Sequence, residues 1–313
     1  MNIKKDGVLV LDKPLGISSN QTISRLKKIL NIRKIGFIGT LDPLATGALP
    51  VFTGKCTKLI PYFEERNKTY RATITLGLMS DSLDEGTPIE RVPLPEMKNE
   101  EICDVINNFV GKQEQRPPIY SAIKIDGIRS YKLARSGSDF KVKTRNVEFF
   151  NFNDIQINFP KVSFTVEVSK GTYIRSLALD IGQKLKTKAI VSELCRLSHG
   201  DEFSLKKAKS LDEIKNLELD DNSDLFLKNE ELIITNFTSF RINEDTNIWR
   251  LKQGQRIKIS LNDIHFSLTE DHSTDISKKV CFAFDHSNGL MAAGSLEFSR
   301  DSVLYFYPHK LLI

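Results

Sequence analysis

The stretch Gly36-Phe37-Ile38-Gly39-Thr40-Leu41-Asp42-Pro43-Leu44-Ala45-Thr46-Gly47-Ala48-Leu49-Pro50-Val51 organises the chain. One acidic residue, Asp42, stands at its centre among apolar neighbours, and a carboxylate in such a setting is costly to bury unless a partner answers it. Pro43 fixes its own φ and disfavours helical backbone at Asp42. Gly39 and Gly47 admit backbone conformations that a β-carbon would hinder. The stretch therefore reads as a rigid loop that presents one carboxylate into a largely dry pocket. The plain alternative is an Asp-Pro turn. A phosphate-binding loop is a poor alternative. Thr53-Gly54-Lys55-Cys56-Thr57 imitates part of one, but Leu49 stands where the first glycine belongs and Cys56 where a metal-holding hydroxyl belongs.

Outward from this stretch, the phrase Leu11-Asp12-Lys13-Pro14-Leu15-Gly16-Ile17-Ser18-Ser19-Asn20 reads as the end of a strand (Gly7–Leu11), a turn, and the cap of a helix over about 21–30. Thr57–Phe63 reads as a short helix, 68–77 as an alternating strand containing Tyr70, and Pro95–Phe109 as a helix with Ile102, Val105, Ile106 and Phe109 on one side. Phe149–Phe159 and Val162–Val168 read as strands joined by a turn, and Ser176–Leu185 as a helix. Beyond about Leu232 the runs Val280–Ala283, Leu290–Ala293 and Val303–Tyr307 alternate with turn signals, as in a small β-rich domain.

With 313 residues, 40% hydrophobic and 27% charged, the chain has the composition of a soluble globular protein large enough for more than one domain. No apolar run reaches membrane-spanning length, and the first residues lack a secretory pattern. Cys56, Cys103, Cys195 and Cys281 are scattered without a Cys-x-x-Cys pair, which fits free thiols in a reducing cytoplasm. The five histidines form no metal-ligand pattern, so no metal is expected. Net charge is +5 and unevenly spread: residues 112–147 carry +6, residues 211–231 carry −6, and residues 232–313 are neutral. A basic segment followed by an acidic one suggests a polyanion-binding surface and a solvated connector.

Gly-Thr-Leu-Asp-Pro-Leu-Ala-Thr-Gly-x-Leu-Pro resembles the signature of the TruB family of pseudouridine synthases, and the phrase at 11–20 is similar to that family's opening pattern. Further motifs follow in the family's order: Lys68-Thr69-Tyr70-Arg71, Ser80-Asp81-Ser82-Leu83-Asp84, the basic stretch from Pro117-Pro118 to Gly137, Ser169-Lys170-Gly171-Thr172-Tyr173-Ile174-Arg175, and Glu193-Leu194-Cys195-Arg196-Leu197. The resemblance implies an α+β fold: a mixed-sheet catalytic domain over 1–210 with an RNA-clamping insertion at 112–147, the acidic connector at 211–231, and a PUA-like β-barrel over 232–313. It implies isomerisation of a uridine in the T loop of tRNA, at position 55, with base flipping and without a cofactor. The non-catalytic alternative is a protein that clamps the tRNA elbow without modifying it.

Residue by residue, the resemblance makes Asp42 the catalytic aspartate, Tyr70 the residue that stacks on the target base and takes part in proton transfer, and Arg175 the partner of the carboxylate. A guanidinium suits that last place, because it offers bidentate hydrogen bonds and a permanent charge that favours the ionised form. Asp84, Lys124, Tyr131, Arg135, Lys141, Lys143 and Arg145 are expected to contact RNA, and Leu197 to line the pocket. Phe37 departs from the family's usual histidine: the ring can still stack on RNA, but the polar nitrogen is lost. The expected partner is the T arm and elbow of tRNA, met by a monomer in the cytoplasm with neither guide RNA nor membrane.

Overall fold

The computed structural model describes residues 6–121, 123–125, 127–130, 133, 140, 142–217, 225–266 and 279–312. In chain order, β1 (Gly7–Lys13) leads into α1 (Ser19–Leu30), then β2 (Ile35–Phe37) and β3 (Ala45–Thr53). α2 (Ile60–Phe63) precedes β4 (Lys68–Leu76) and a two-stranded hairpin of β5 (Leu78–Met79) and β6 (Glu90–Arg91). α3 (Asn99–Asn107) and β7 (Gly111–Gln115) are followed by a second hairpin of β8 (Lys124–Ile125) and β9 (Ile128–Arg129). The long ribbon of β10 (Arg145–Asn158) and β11 (Lys161–Val168) then leads to α4 (Ile174–Lys184), β12 (Ala189–His199) and β13 (Phe203–Ser204).

Among the described residues these strands form one mixed nine-stranded sheet, ordered β1-β3-β12-β4-β11-β10-β7, with β2 on β3 and β13 on β12. β12 runs parallel to β3 and antiparallel to β4. That central position brings the C-terminal part of the sheet beside the start of β3, directly after Asp42. α1 covers one face of β1 and β3, packing Ile23, Leu26 and Leu30 on Leu9, Leu11, Leu49 and Val51. Its start is set by a reciprocal cap: Ser18 Oγ accepts from the Gln21 amide, and the Gln21 side chain accepts from the Ser18 amide. α3 and α4 cover the neighbouring stretch of sheet, where Ile102, Ile106, Leu177 and Ile181 meet Ala72, Ile74, Phe149, Phe164 and Val166.

A second sheet of six strands, β15 (Ile257–Lys258), β19 (Leu304–Leu311), β18 (Leu290–Phe298), β17 (Val280–Phe284), β14 (Thr238–Arg241) and β16 (Ile264–His265), follows in that spatial order. The two sheets share a core. Val8, Val10, Ala48 and Phe52 on the far face of β1 and β3, with Phe63 and Phe203, pack against Phe237, Phe282, Phe284 and Leu312. The Phe63 and Phe237 rings meet edge to face at 5.2 Å, and Tyr62 meets Phe282 at 5.3 Å. Lys58 Nζ donates to the Leu311 carbonyl across the same seam.

The mixed α+β architecture and the late β-rich sheet are those expected from the sequence. Three expectations change. The stretch 36–51 is not one loop: Gly36 and Phe37 belong to β2 and residues 45–51 to β3, so the loop proper is 38–44. Lys13, placed in a turn by its Lys-Pro context, is the buried end of β1. The acidic connector is not simply solvated. Ile214 and Leu225 are buried beside α1, and Phe226 lies so close over Gly7 that a β-carbon there would sit 2.3 Å from its ring. Charge averaged over a window hides single apolar anchors of this kind.

Candidate active site

The loop 38–44 is pinned by the chain leading into α1 and by that helix's first residue. Ser19 Oγ donates to the Leu41 carbonyl at 3.0 Å and accepts from the Leu41 amide at 2.9 Å. The Gly16 amide donates to the Pro43 carbonyl at 2.8 Å, and Lys13 Nζ to the Ala45 carbonyl at 2.6 Å. The Ala45 amide closes the turn on the Asp42 carbonyl at 3.0 Å. These bonds fix the backbone on both sides of Asp42. The two early motifs are therefore a brace and the loop it braces.

Asp42 lies at the edge of a cavity of about 440 Å³ lined by Phe37, Lys68, Tyr70, Tyr173, Arg175 and Arg196, among others. Its carboxylate meets Arg175 Nη2 at 2.9 Å. Arg175, on the first turn of α4, is held through both terminal nitrogens: Nη2 also donates to the Tyr120 carbonyl at 2.9 Å, Nη1 donates to the Ser82 carbonyl at 2.8 Å, and Asp84 Oδ2 stands 3.6 Å from Nη1. Arg175 is 4% exposed whereas the Asp42 side chain is 37% exposed, so the cation is structural bedrock and the carboxylate faces the cavity. Burial pushes the Asp42 carboxyl above the usual carboxylate range. Arg175 is the largest opposing influence, Asp84 adds to the rise, and Lys13 opposes it. Arg175 and burial thus act on the carboxyl in opposite directions, and the net direction is upward.

Tyr70 is buried on β4 and lines the same cavity. Phe37, at the end of β2, forms part of the wall. Asp84 is not placed to meet RNA: it is 6% exposed, its Oδ1 accepts from the Gly86 amide at 2.8 Å, and its Oδ2 faces Arg175. Leu197 does not line the cavity; Leu194 and Arg196 do. Leu197 is the extra residue where β12 shifts its register against β4, between Arg196 opposite Tyr70 and Ser198 opposite Thr69. Of the expected RNA contacts, Lys143 is exposed, whereas Arg145 lies over the Tyr173 ring at 5.6 Å. Lys124 sits in β8, and Tyr131, Arg135 and Lys141 lie outside the described residues.

A family model for the N-terminal domain of TruB family pseudouridylate synthases matches residues 27–174. A tRNA pseudouridine synthase B of Geobacter sulfurreducens is 43% identical over 68% of this chain and 70% of its own length. One from Clostridium tetani is 37% identical over 88% of this chain and 96% of its own. The chain belongs to the TruB family of pseudouridylate synthases. Among solved structures, a Cbf5-Nop10-Gar1 complex aligns with a TM-score of 0.72 over 99% of this chain and 85% of that chain at 23% identity. An H/ACA RNP bound to a substrate RNA containing 2′-deoxyuridine aligns at 0.71 over 98% and 85%, at 22% identity. At that identity these likenesses describe the fold alone.

Four residues around this TruB-family site have no individual role in the sequence reading. Lys13 is fully buried, and burial pulls its pKa down to about 8 against the charge of Asp42. Lys68 is pulled down to about 8 by burial and by Arg196 and Lys170. His199 Nε2 donates to the Phe63 carbonyl at 3.0 Å, and burial with the neighbouring cations pulls the ring down to about 2, so it is neutral. Arg196 is fully buried on β12. The signal for Lys13 and Arg196 was a charged residue inside an apolar, alternating run.

Two glycines of the signature have steric reasons. At Gly39, φ is +67°, and a β-carbon would lie 2.6 Å from Arg196 Nη1 and 2.9 Å from His199 Nδ1. At Gly47, φ is +102°, and the obstacle is the Arg196 carbonyl oxygen at 2.3 Å, which is backbone and cannot move aside. Gly47→Ala is therefore expected to destabilise the fold by about 2 to 5 kcal/mol, from strain and overpacking together. Thermal unfolding beside wild type measures it, and an unchanged midpoint would show that β3 and β12 can separate locally at no cost.

Proposed function

We propose that this protein isomerises uridine to pseudouridine in tRNA, at position 55 of the T loop. The observation that carries the reading is the Asp42 carboxylate, braced from behind by Arg175, facing a nucleotide-sized cavity shared with Tyr70 in a chain of this family. The reaction breaks the bond from ribose C1′ to uracil N1 and forms one from C1′ to C5. Uridine and pseudouridine have the same atoms and the same oxidation state, so the change calls for no oxidant and no added group. Its balance requires one proton to leave C5 and one to arrive at N1.

The target base sits inside folded RNA and must be extruded at a cost of a few kcal/mol. Phosphate contacts from the basic insertion at 112–147 supply binding energy for that step. Tyr70 stacks on the extruded base, and Asp42 acts at the sugar or the base. We assign residues 1–210 to catalysis and 232–313 to a PUA-like RNA-binding role. We also infer that the protein acts as a monomer in the cytoplasm without a guide RNA, since the insertion provides RNA contacts of its own.

The test is incubation with an unmodified tRNA transcript followed by carbodiimide mapping. A single modification at position 55 is expected. Tight binding with no modification would instead make the protein an RNA clamp. The electrostatic part is tested separately: Lys141, Lys143 and Arg145 all changed to Ala is expected to lower the log–log salt slope of tRNA binding by up to roughly 0.7 to 0.9 for each phosphate no longer neutralised. An unchanged slope would mean that this run is a solvated face.

A further inference from the structure

Arg196 is an anomaly in the site. It is fully buried, its Nε donates to the Ala48 carbonyl at 2.7 Å, and Nη1 and Nη2 meet no acceptor at full hydrogen-bond geometry among the described residues, the nearby Tyr70 hydroxyl being the one group that answers the charge. A guanidinium taken out of water is costly unless acceptors replace the water. The neighbouring cations do have acceptors: Arg175 has two carboxylates and two carbonyls, Lys13 two carbonyls, and Lys68 the Arg66 carbonyl at 3.0 Å. A buried cation answered by one carbonyl and a neutral hydroxyl is suited to a negative charge that arises during the reaction.

The group set against it is Tyr70. Arg196 and Tyr70 are direct register partners on β12 and β4, and directly opposite residues of an antiparallel pair project from the same face. Both line the cavity. Burial lowers the affinity of the Arg196 guanidinium for its proton, and the Tyr70 hydroxyl is the group that offsets this. The other charged or titratable groups around Tyr70 are Lys68 on its own strand, Glu64 just after α2, His199 on β12, Asp42 on the loop, and Lys170, Tyr173 and Arg175 on the segment before and into α4. His199 is neutral, Arg175 is committed to two carboxylates, and Asp42 has the sign that would oppose a phenolate.

We propose that Arg196 is a positioning residue for Tyr70: it holds the phenol in place and balances the negative charge that develops on it in the proton transfer that the family resemblance implies for Tyr70. This rests on the function proposed above. In the reaction C5 comes to occupy the place beside C1′ that N1 has left, so one fixed group meets both atoms in turn. The Tyr70 hydroxyl gives its proton to N1 and becomes a phenolate. The phenolate then takes the proton from C5, whose electron pair restores the ring double bond. Tyr70 ends as it began, and the proton count closes.

The test uses the full chain under single-turnover conditions, with tRNA transcripts containing uridine or [5-²H]uridine. Arg196→Met is expected to fold, because it exchanges an unpaired cation for an apolar side chain of similar length. It should slow conversion by about 10²-fold with tRNA affinity unchanged, and should show a larger deuterium effect at C5 than wild type. Difluorotyrosine at position 70, a more acidic phenol, should recover part of the lost rate. Arg196→Lys, read in the same assay if the methionine variant does not fold, should also be slower with an enlarged isotope effect, because one ammonium cannot replace the planar fork. Wild-type speed in the variant that folds, or a slower rate with the wild-type isotope effect, would overturn the proposal. A wild-type enzyme that forms no pseudouridine would instead overturn the proposed function on which it rests.

Discussion

Asp42→Asn is expected to lower pseudouridine formation by about 10⁴-fold or more while leaving tRNA affinity within severalfold, the scale at which a single essential group is lost from an active site. The substitution is close to isosteric. The amide oxygen can still accept from Arg175 Nη2, and the brace from Ser19, Gly16 and Lys13 acts on backbone that the change does not touch. What disappears is the ionised carboxylate, and with it any attack on the sugar or removal of a sugar proton. Folding should not confuse the result. A carboxyl whose pKa is raised in the folded state stabilises the fold while protonated, and that contribution is lost as pH rises through the folded-state value. The neutral asparagine avoids this loss, so the variant should be at least as stable as wild type at pH 8. Normal turnover by a folded Asp42→Asn protein would remove Asp42 from the chemistry.

Arg175→Met is expected to have the second largest effect, and a different one. It leaves the Asp42 and Asp84 carboxylates facing each other without the cation between them, and strands the Ser82 and Tyr120 carbonyls. Removing one member of so buried a set costs about 3 to 5 kcal/mol of stability. The activity effect has a direction in pH. Arg175 is the main influence holding the Asp42 carboxyl down against burial, so its loss raises that pKa further. If Asp42 works ionised, the acidic limb of the single-turnover rate should move to higher pH. Arg175→Lys keeps the charge but cannot reach two carboxylates and two carbonyls at once, so it should lose activity with a smaller displacement of the limb. A limb that stays put while tRNA affinity falls would make Arg175 a phosphate ligand.

Much of this arrangement was legible in the sequence, and the reason is physical. Asp42 in an apolar, glycine-punctuated run needs a cation, and the Arg175 motif offers one whose fork suits a carboxylate. The strands with plain alternation, such as 68–76 and 161–168, showed their faces directly. What stayed hidden depends on register. Whether Leu197 or Leu194 meets the cavity is decided by the pleat of β12 and by its shift against β4 between Arg196 and Ser198, which no local pattern reveals. Asp84 reads as an RNA contact because the cation that holds it lies 91 positions away in the chain. The buried ends of the acidic connector were masked by the charges between them.

The core shared by the two sheets has a consequence for what the enzyme can accept. Close-packed interiors do not slide by an ångström or two without opening voids, and Phe63, Phe237 and Phe282 lie in such an interior. The span from Asp42 to the outer surface of the second sheet is therefore set by packing rather than by the chain that links them. On the proposed reading that the second sheet also binds RNA, the substrate is gauged as if by a calliper, and a stem of the wrong length would not seat its uridine and its far end together. Lengthening the chain between Leu217 and Leu225 would leave that setting unchanged, whereas trimming Phe282 to alanine would loosen it.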